Sequence, residues 1–180
     1  IYLDGDTERA QIWGEKLKAS GYPTMLVLDP SGVELMRFPT SINAEKYTEL
    51  LKTTRRRSLS INDLLKKKHL SQAEWSQLAF YSWGQDKSVK EKLGLFEKLY
   101  NKIPSSMAEE KASLFLSYLG ELVDDKSVSR DKTVLRKEFL KILNDKKLAK
   151  RFTSDLSYNG GKYLDYLFED IQGRVAGHSK

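Results

Sequence analysis

The segment Gly21-Tyr22-Pro23-Thr24 carries the clearest chemical signal in this 180-residue sequence. A proline has no N–H to give to a sheet ladder, so it belongs at the start or edge of a strand. It is also the residue for which a cis peptide is cheap, about 0.5–1 kcal/mol above trans. A cis bond between Tyr22 and Pro23 would turn the chain sharply and leave Tyr22 with free backbone groups; a trans turn proline closing a helix is the alternative reading. Other chemistry is thinly provided. The sequence has no cysteine, so this chain holds no disulfide, no thiolate metal site and no cysteine nucleophile. Its two histidines, His69 and His178, lie far apart, which argues against a histidine-rich metal centre. No Ser-His-Asp set, phosphate-binding loop or metal-spaced cluster is present. The expectation is no catalytic residue, no metal and no cofactor in this chain.

The elements around Pro23 can be placed by periodicity and punctuation. The chain opens with the strand-like Ile1–Asp4, a start that reads as the remainder of a longer polypeptide. Asp6 or Thr7 can cap a following helix, Glu8 suits its first turn, and Ala10, Trp13 and Leu17 form one apolar face. Gly21 is the expected left-handed residue closing it. Met25–Leu28 is a short continuous apolar run, the mark of a strand covered on both faces. Asp29-Pro30-Ser31-Gly32 suits a type I turn, with Val33–Phe38 returning as the antiparallel partner. Ser41 or Asn43 then caps a helix whose buried stripe is Ala44, Tyr47, Leu50 and Leu51.

This order, strand-helix-strand-strand-helix, with "YLDGD", "GYPT" and "LVLDPSGVELMRFP" in sequence, resembles the second half of a thioredoxin-like domain. The resemblance covers residues 1–54. It implies a cis Tyr22–Pro23 bond and a groove lined by Tyr22, Pro23 and Thr24, where a protein or peptide substrate pairs strand to strand. In that family the reacting groups are a Cys-x-x-Cys at a helix start, which would precede Ile1. The strand carrying it would lie between Ile1–Asp4 and Met25–Leu28, so without it the sheet is incomplete and a homodimer through that sheet is one expected outcome.

From Arg55 onward strand signals stop. Residues 55–60 read as a linker and residues 61–180 as a helical domain, a bundle or short solenoid. Apolar stripes mark helices through Ile61, Leu64 and Leu65; Trp75, Leu78, Ala79 and Trp83; Val89, Leu93, Phe96, Leu99 and Tyr100; Leu114, Phe115, Tyr118, Leu119 and Leu122; and Val134, Leu135, Phe139, Ile142 and Leu143. Ser71 and Glu74 have capping-box spacing. Asn159-Gly160-Gly161 is expected to turn the chain between a short helix and a last one, with a frayed end beyond. The fold class is thus α/β plus α. The stretch "LSQAEWSQLAFYSW" is similar to a segment that follows the thioredoxin domain in bacterial thioredoxin-family proteins, which implies a periplasmic or envelope location; the cytoplasm is the alternative.

Aromatics and charge complete the reading. Trp75 and Trp83 belong to a core stripe, whereas Phe80 and Tyr81 point off it toward an interface. Of the net charge of +6, residues 1–54 carry −2 and residues 55–180 carry +8. The basic runs Arg55–Arg57 and Lys66–Lys68 raise a nucleic-acid reading, but acids are interleaved along the helices, the pattern of a solvated surface. Neither nucleic acid nor a membrane surface is an expected partner. Three functions remain in that order: a portion of a thiol–disulfide oxidoreductase, a redox-inactive protein-binding module, and a basic nucleic-acid-binding domain.

Overall fold

The computed structural model describes residues 4, 6–19, 23–56, 59–125 and 131–177. The chain divides into two compact units, Ile1–Lys92 and Leu93–Lys180. The composition-based linker at 55–60 therefore lies inside the first unit. The cause is packing: the helices Ile61–Lys66 and Gln72–Ala79 lie against the hairpin and the helix after it.

In the first unit, α1 spans Glu8–Lys16, β1 Met25–Leu28, β2 Glu34–Phe38, α2 Ala44–Arg56, α3 Ile61–Lys66 and α4 Gln72–Ala79, with a 3₁₀ turn at Trp83–Gln85. Thr7 caps α1, its Oγ1 accepting from Ala10 N at 3.3 Å. The helix ends in a Schellman motif: Ala19 N donates to Gly14 O at 2.8 Å and Lys18 N to Glu15 O at 3.1 Å. The left-handed residue is Lys18, at φ 51°, and not Gly21, which lies outside the described residues. Ala19 then forms an antiparallel bridge with Asp86, and that tether sets where the chain must leave the helix. Ala10 is buried, but Trp13 is 36% exposed, so the predicted α1 face is only partly covered.

β1 and β2 pair antiparallel, Met25 opposite Phe38 and Val27 opposite Met36, with an irregularity between Val27 and Leu28. The turn between them is built by Asp29. Its Oδ1 accepts from Ser31 N, Ser31 Oγ and Val33 N at 2.9, 2.7 and 2.8 Å, while Gly32 N donates to Asp29 O at 3.0 Å. Gly32 adopts φ 86°, a conformation glycine takes without steric cost. The doubly covered strand is β2, not β1 as its apolar run suggested. Leu35, Met36, Arg37 and Phe38 are all buried, whereas Met25 and Leu28 at the ends of β1 are exposed. β1 has no second strand beside it among the described residues, and that removes its cover.

Asn43 caps α2, its side-chain oxygen accepting from Lys46 N at 2.9 Å. The buried face of α2 runs through Lys46, Leu50 and Thr54; Ala44 is exposed, contrary to its place in the predicted stripe. Phe38 packs on Tyr47 with ring centroids 4.6 Å apart. The Ser71–Glu74 capping box is present at α4. Phe80 and Tyr81 are buried with Trp75 and Trp83, so the expected outward interface is core instead. α4 ends at Ala79, and the chain beyond no longer follows helical periodicity, which turns all four aromatics inward.

The second unit contains α5 (Lys92–Lys102), α6 (Ala108–Asp124), α7 (Lys132–Asn144), α8 (Lys146–Arg151) and α9 (Thr153–Gly177). α6 is central, as its composition predicts: Leu114, Phe115, Tyr118, Leu119 and Leu122 are all buried, and α7 and α9 pack on it. Two expectations fail here. In α7 only Leu135, Phe139 and Ile142 of the predicted stripe are buried; Val134 is 61% exposed and Leu143 39%. Asn159-Gly160-Gly161 is not a turn, because α9 runs through it without interruption. Asn159 Nδ2 donates to Asp155 Oδ1 one helical turn earlier at 2.8 Å. Tyr163 and Leu167, one and two turns on, are buried, and Tyr163 meets Phe139 edge to face at 5.9 Å. Burial of that stripe outweighs two helical glycines, which cost about 1 kcal/mol each. The helix continues to Gly177, into the stretch expected to fray; residues 178–180 are outside the described part.

Candidate functional site

The candidate site is the open side of the hairpin, and the side chain that fixes it is Arg37. Arg37 lies in the middle of an apolar strand and is only 1% exposed. A buried guanidinium must be paired and hydrogen-bonded. Nε and Nη2 donate to Glu34 Oε1 and Oε2 at 2.9 and 2.7 Å, a bidentate fork. Nη1 donates to Gln85 O at 2.8 Å and Nη2 to Leu17 O at 2.7 Å. One side chain thus joins β2 to the carboxyl end of α1, where a cation also suits the helix dipole, and to the 3₁₀ turn. The other edge of β2 is satisfied without a strand: Ser82 N donates to Arg37 O at 2.9 Å and Gln77 Nε2 to Leu35 O at 2.7 Å.

Tyr81 and Asp86 extend this network. The Tyr81 hydroxyl lies 2.6 Å from Glu34 Oε1 and 2.8 Å from Asp86 Oδ2, so its one proton is offered between two carboxylates. Asp86 Oδ1 also accepts from Ser88 N and Oγ at 2.8 and 2.6 Å. Burial, reinforced by Glu34 and then Asp86, pushes the Tyr81 phenol above its ordinary range. Burial alone would raise Asp86, but the Ser88 donors, the Tyr81 hydroxyl and the Arg37 charge outweigh it and hold the carboxyl low. Burial would likewise weaken the charge on Arg37, and Glu34 more than reverses that. At neutral pH these groups are therefore fixed as phenol, carboxylate and guanidinium. Their hydrogen bonds tie the hairpin to the end of α1 and to the 3₁₀ turn.

Of the predicted substrate-binding residues, Tyr22 lies outside the described part, and with it the Tyr22–Pro23 bond and Ile1–Leu3. Pro23 is exposed and its carbonyl accepts from Gln85 Nε2 at 3.1 Å; Thr24 is half-buried where β1 begins. The loop before β1 is thus tied to the same 3₁₀ turn that Arg37 grips. Sequence reasoning missed this support. Glu34, Arg37, Tyr81, Gln85 and Asp86 carry it, and the available signal was an arginine set among apolar strand residues three positions after a glutamate.

In the basic runs singled out by the sequence, Lys66 and Lys67 meet acidic partners, and Arg57 lies outside the described residues. Lys67 Nζ donates to Glu74 Oε1 at 2.8 Å, and Lys66 lies 3.8 Å from Asp63. Arg55 is exposed at the end of α2. Among the described residues no group of three or more His, Cys, Asp or Glu side chains could hold a metal ion, and no helix is long and apolar enough to cross a membrane. No protein-family model, curated protein or solved structure matches this chain.

Proposed function

We propose that residues 1–54 form the carboxyl-terminal half of a thioredoxin-like domain, and that the protein is a portion of a thiol–disulfide oxidoreductase whose helical part engages a protein partner. The observation that carries this reading is the hairpin. A proline stands immediately before β1, a Asp-Pro-Ser-Gly turn joins β1 to β2, α2 follows directly, and β1 keeps an edge without a ladder among the described residues. An edge of that kind, entered through Pro23 and Thr24, accepts either a missing central strand or an extended peptide. The chain holds no cysteine, so the dithiol in this reading is supplied by residues ahead of Ile1.

The test is insulin reduction by dithiothreitol. This chain should add nothing to the rate of dithiothreitol alone. The polypeptide encoded with its upstream residues should carry a Cys-x-x-Cys and accelerate the reaction, and substitution of Pro23 in it should weaken substrate turnover. An upstream segment without the dithiol would sink the oxidoreductase reading and leave a redox-inactive binding module.

A further inference from the structure

We propose that the groove between α7 and α8 is a docking site for an acidic amphipathic helix of a protein partner. This rests on the partner-binding role of the helical part and not on the thioredoxin-like reading.

Two stretches concentrate basic charge, residues 52–72 and this one. Residues 131–151 hold 8 basic and 3 acidic side chains, a net +5 within a chain of net +6. The same segment exposes apolar surface. Leu140 is 43% exposed on α7, on the side away from the buried Leu135, Phe139 and Ile142. Where α8 turns back against α7, Leu140 and Leu148 line an open groove of about 860 Å³ with three cations, Arg136, Lys137 and Lys141, and one carboxylate, Asp145, along it. Arg136 is held in place, its Nε donating to Leu167 O at 2.6 Å and its guanidinium lying 5.4 Å from the centroid of the Phe168 ring. Lys141 sits beside Glu138 at 2.5 Å. Lys137 and Lys147 are exposed.

An apolar floor with cationic sides selects its occupant. Phosphate backbones would satisfy the lysines but leave Leu140 and Leu148 uncovered, and a phosphatidylserine surface is the competing occupant that the vesicle arm below tests. A helix with leucines on one face and glutamates flanking them meets both needs. Its apolar face seats by helix-in-groove packing and its acids meet the cationic sides.

The probe is a fluorescein-labelled Leu/Glu peptide of about 18 residues, five helical turns, with leucines at i, i+3, i+4 and i+7. Binding is followed by anisotropy against a scrambled peptide of the same composition, single-stranded DNA of similar length, and phosphatidylserine vesicles. The amphipathic peptide should bind at least about tenfold tighter than its scramble, since only the former presents a continuous apolar face. Lys137→Glu with Lys141→Glu, both exposed, should weaken it by about tenfold or more, and added salt should weaken it too. Leu140→Asp should do the same, whereas Lys66→Glu with Lys68→Glu should leave it unchanged. Equal binding of peptide and scramble, no binding, insensitivity to the groove variants, or tighter binding to DNA or vesicles would each overturn the proposal. Circular dichroism of each variant confirms that the helices persist. Insulin reduction does not involve this groove, so failure here and failure of the oxidoreductase reading are separate results.

Discussion

Replacing Arg37 with methionine should destabilise the first unit more than any surface change. The substitution removes four donated hydrogen bonds, two to Glu34 and one each to Leu17 O and Gln85 O. Glu34 keeps the Tyr81 hydroxyl and a side chain that is 22% exposed, so water can meet part of its charge. The two carbonyls lose a donor that lies in the interior. Removing one partner of a buried pair costs about 3–5 kcal/mol. Replacing Glu34 with methionine as well removes the stranded carboxylate, so the double variant should recover at least about 1 kcal/mol over Arg37→Met alone. The assay is urea unfolding followed by tryptophan fluorescence. All three tryptophans, Trp13, Trp75 and Trp83, fall in the first unit, so the signal reports that unit. For slopes of about 1–3 kcal/mol per molar urea, the Arg37→Met midpoint should fall by about 2 M. A loss below about 1 kcal/mol, the range of solvated ion pairs, would refute the reasoning, as would a double variant no better than the single.

Three further outcomes are expected. Glu74 is held at about pKa 2: burial would raise it, but Lys67 and the Ser71 amide and hydroxyl outweigh that. Because the folded value is depressed, its contribution is complete above about pH 4.3 and disappears as pH falls toward 2, so the destabilisation caused by Glu74→Gln, on the order of 2 kcal/mol with Lys67 partly solvated, should vanish over that interval; a penalty independent of pH would contradict it. Gly160→Ala and Gly161→Ala, where an added Cβ meets nothing within 4 Å, should each stabilise α9 by about 1 kcal/mol in thermal unfolding, while a loss would mean the chain turns there after all. Lys18→Gly should raise the unfolding midpoint by the equivalent of about 1 kcal/mol, because Lys18 holds a left-handed conformation at φ 51° that glycine adopts without a Cβ clash.

Much of the fold was legible from local chemistry, because its signals act over a few residues. Thr7, Asn43 and Ser71 cap the helices they precede, Asp29–Gly32 closes the hairpin, and the leucines of α6 mark the most buried helix. These depend on backbone geometry and spacing that the sequence carries by itself. The remainder was decided by contacts between distant residues. Which of two apolar strands is covered depends on what lies beside it, and β2, not β1, receives Gln77 and Ser82 on its second edge. Asn159-Gly160-Gly161 has the composition of a turn, yet the burial of Tyr163 and Leu167 keeps it helical. Val134 and Leu143 share the periodicity of buried α7 residues, but α6 and α9 cover only the narrower face through Leu135, Phe139 and Ile142. The support of the candidate site was hardest to foresee. Arg37 lies more than forty residues before Tyr81 and Gln85, and only tertiary packing brings a guanidinium to a helix end and a turn at once. A buried charge demands partners, but the sequence names only the demand; the fold determines which carbonyls and carboxylates meet it.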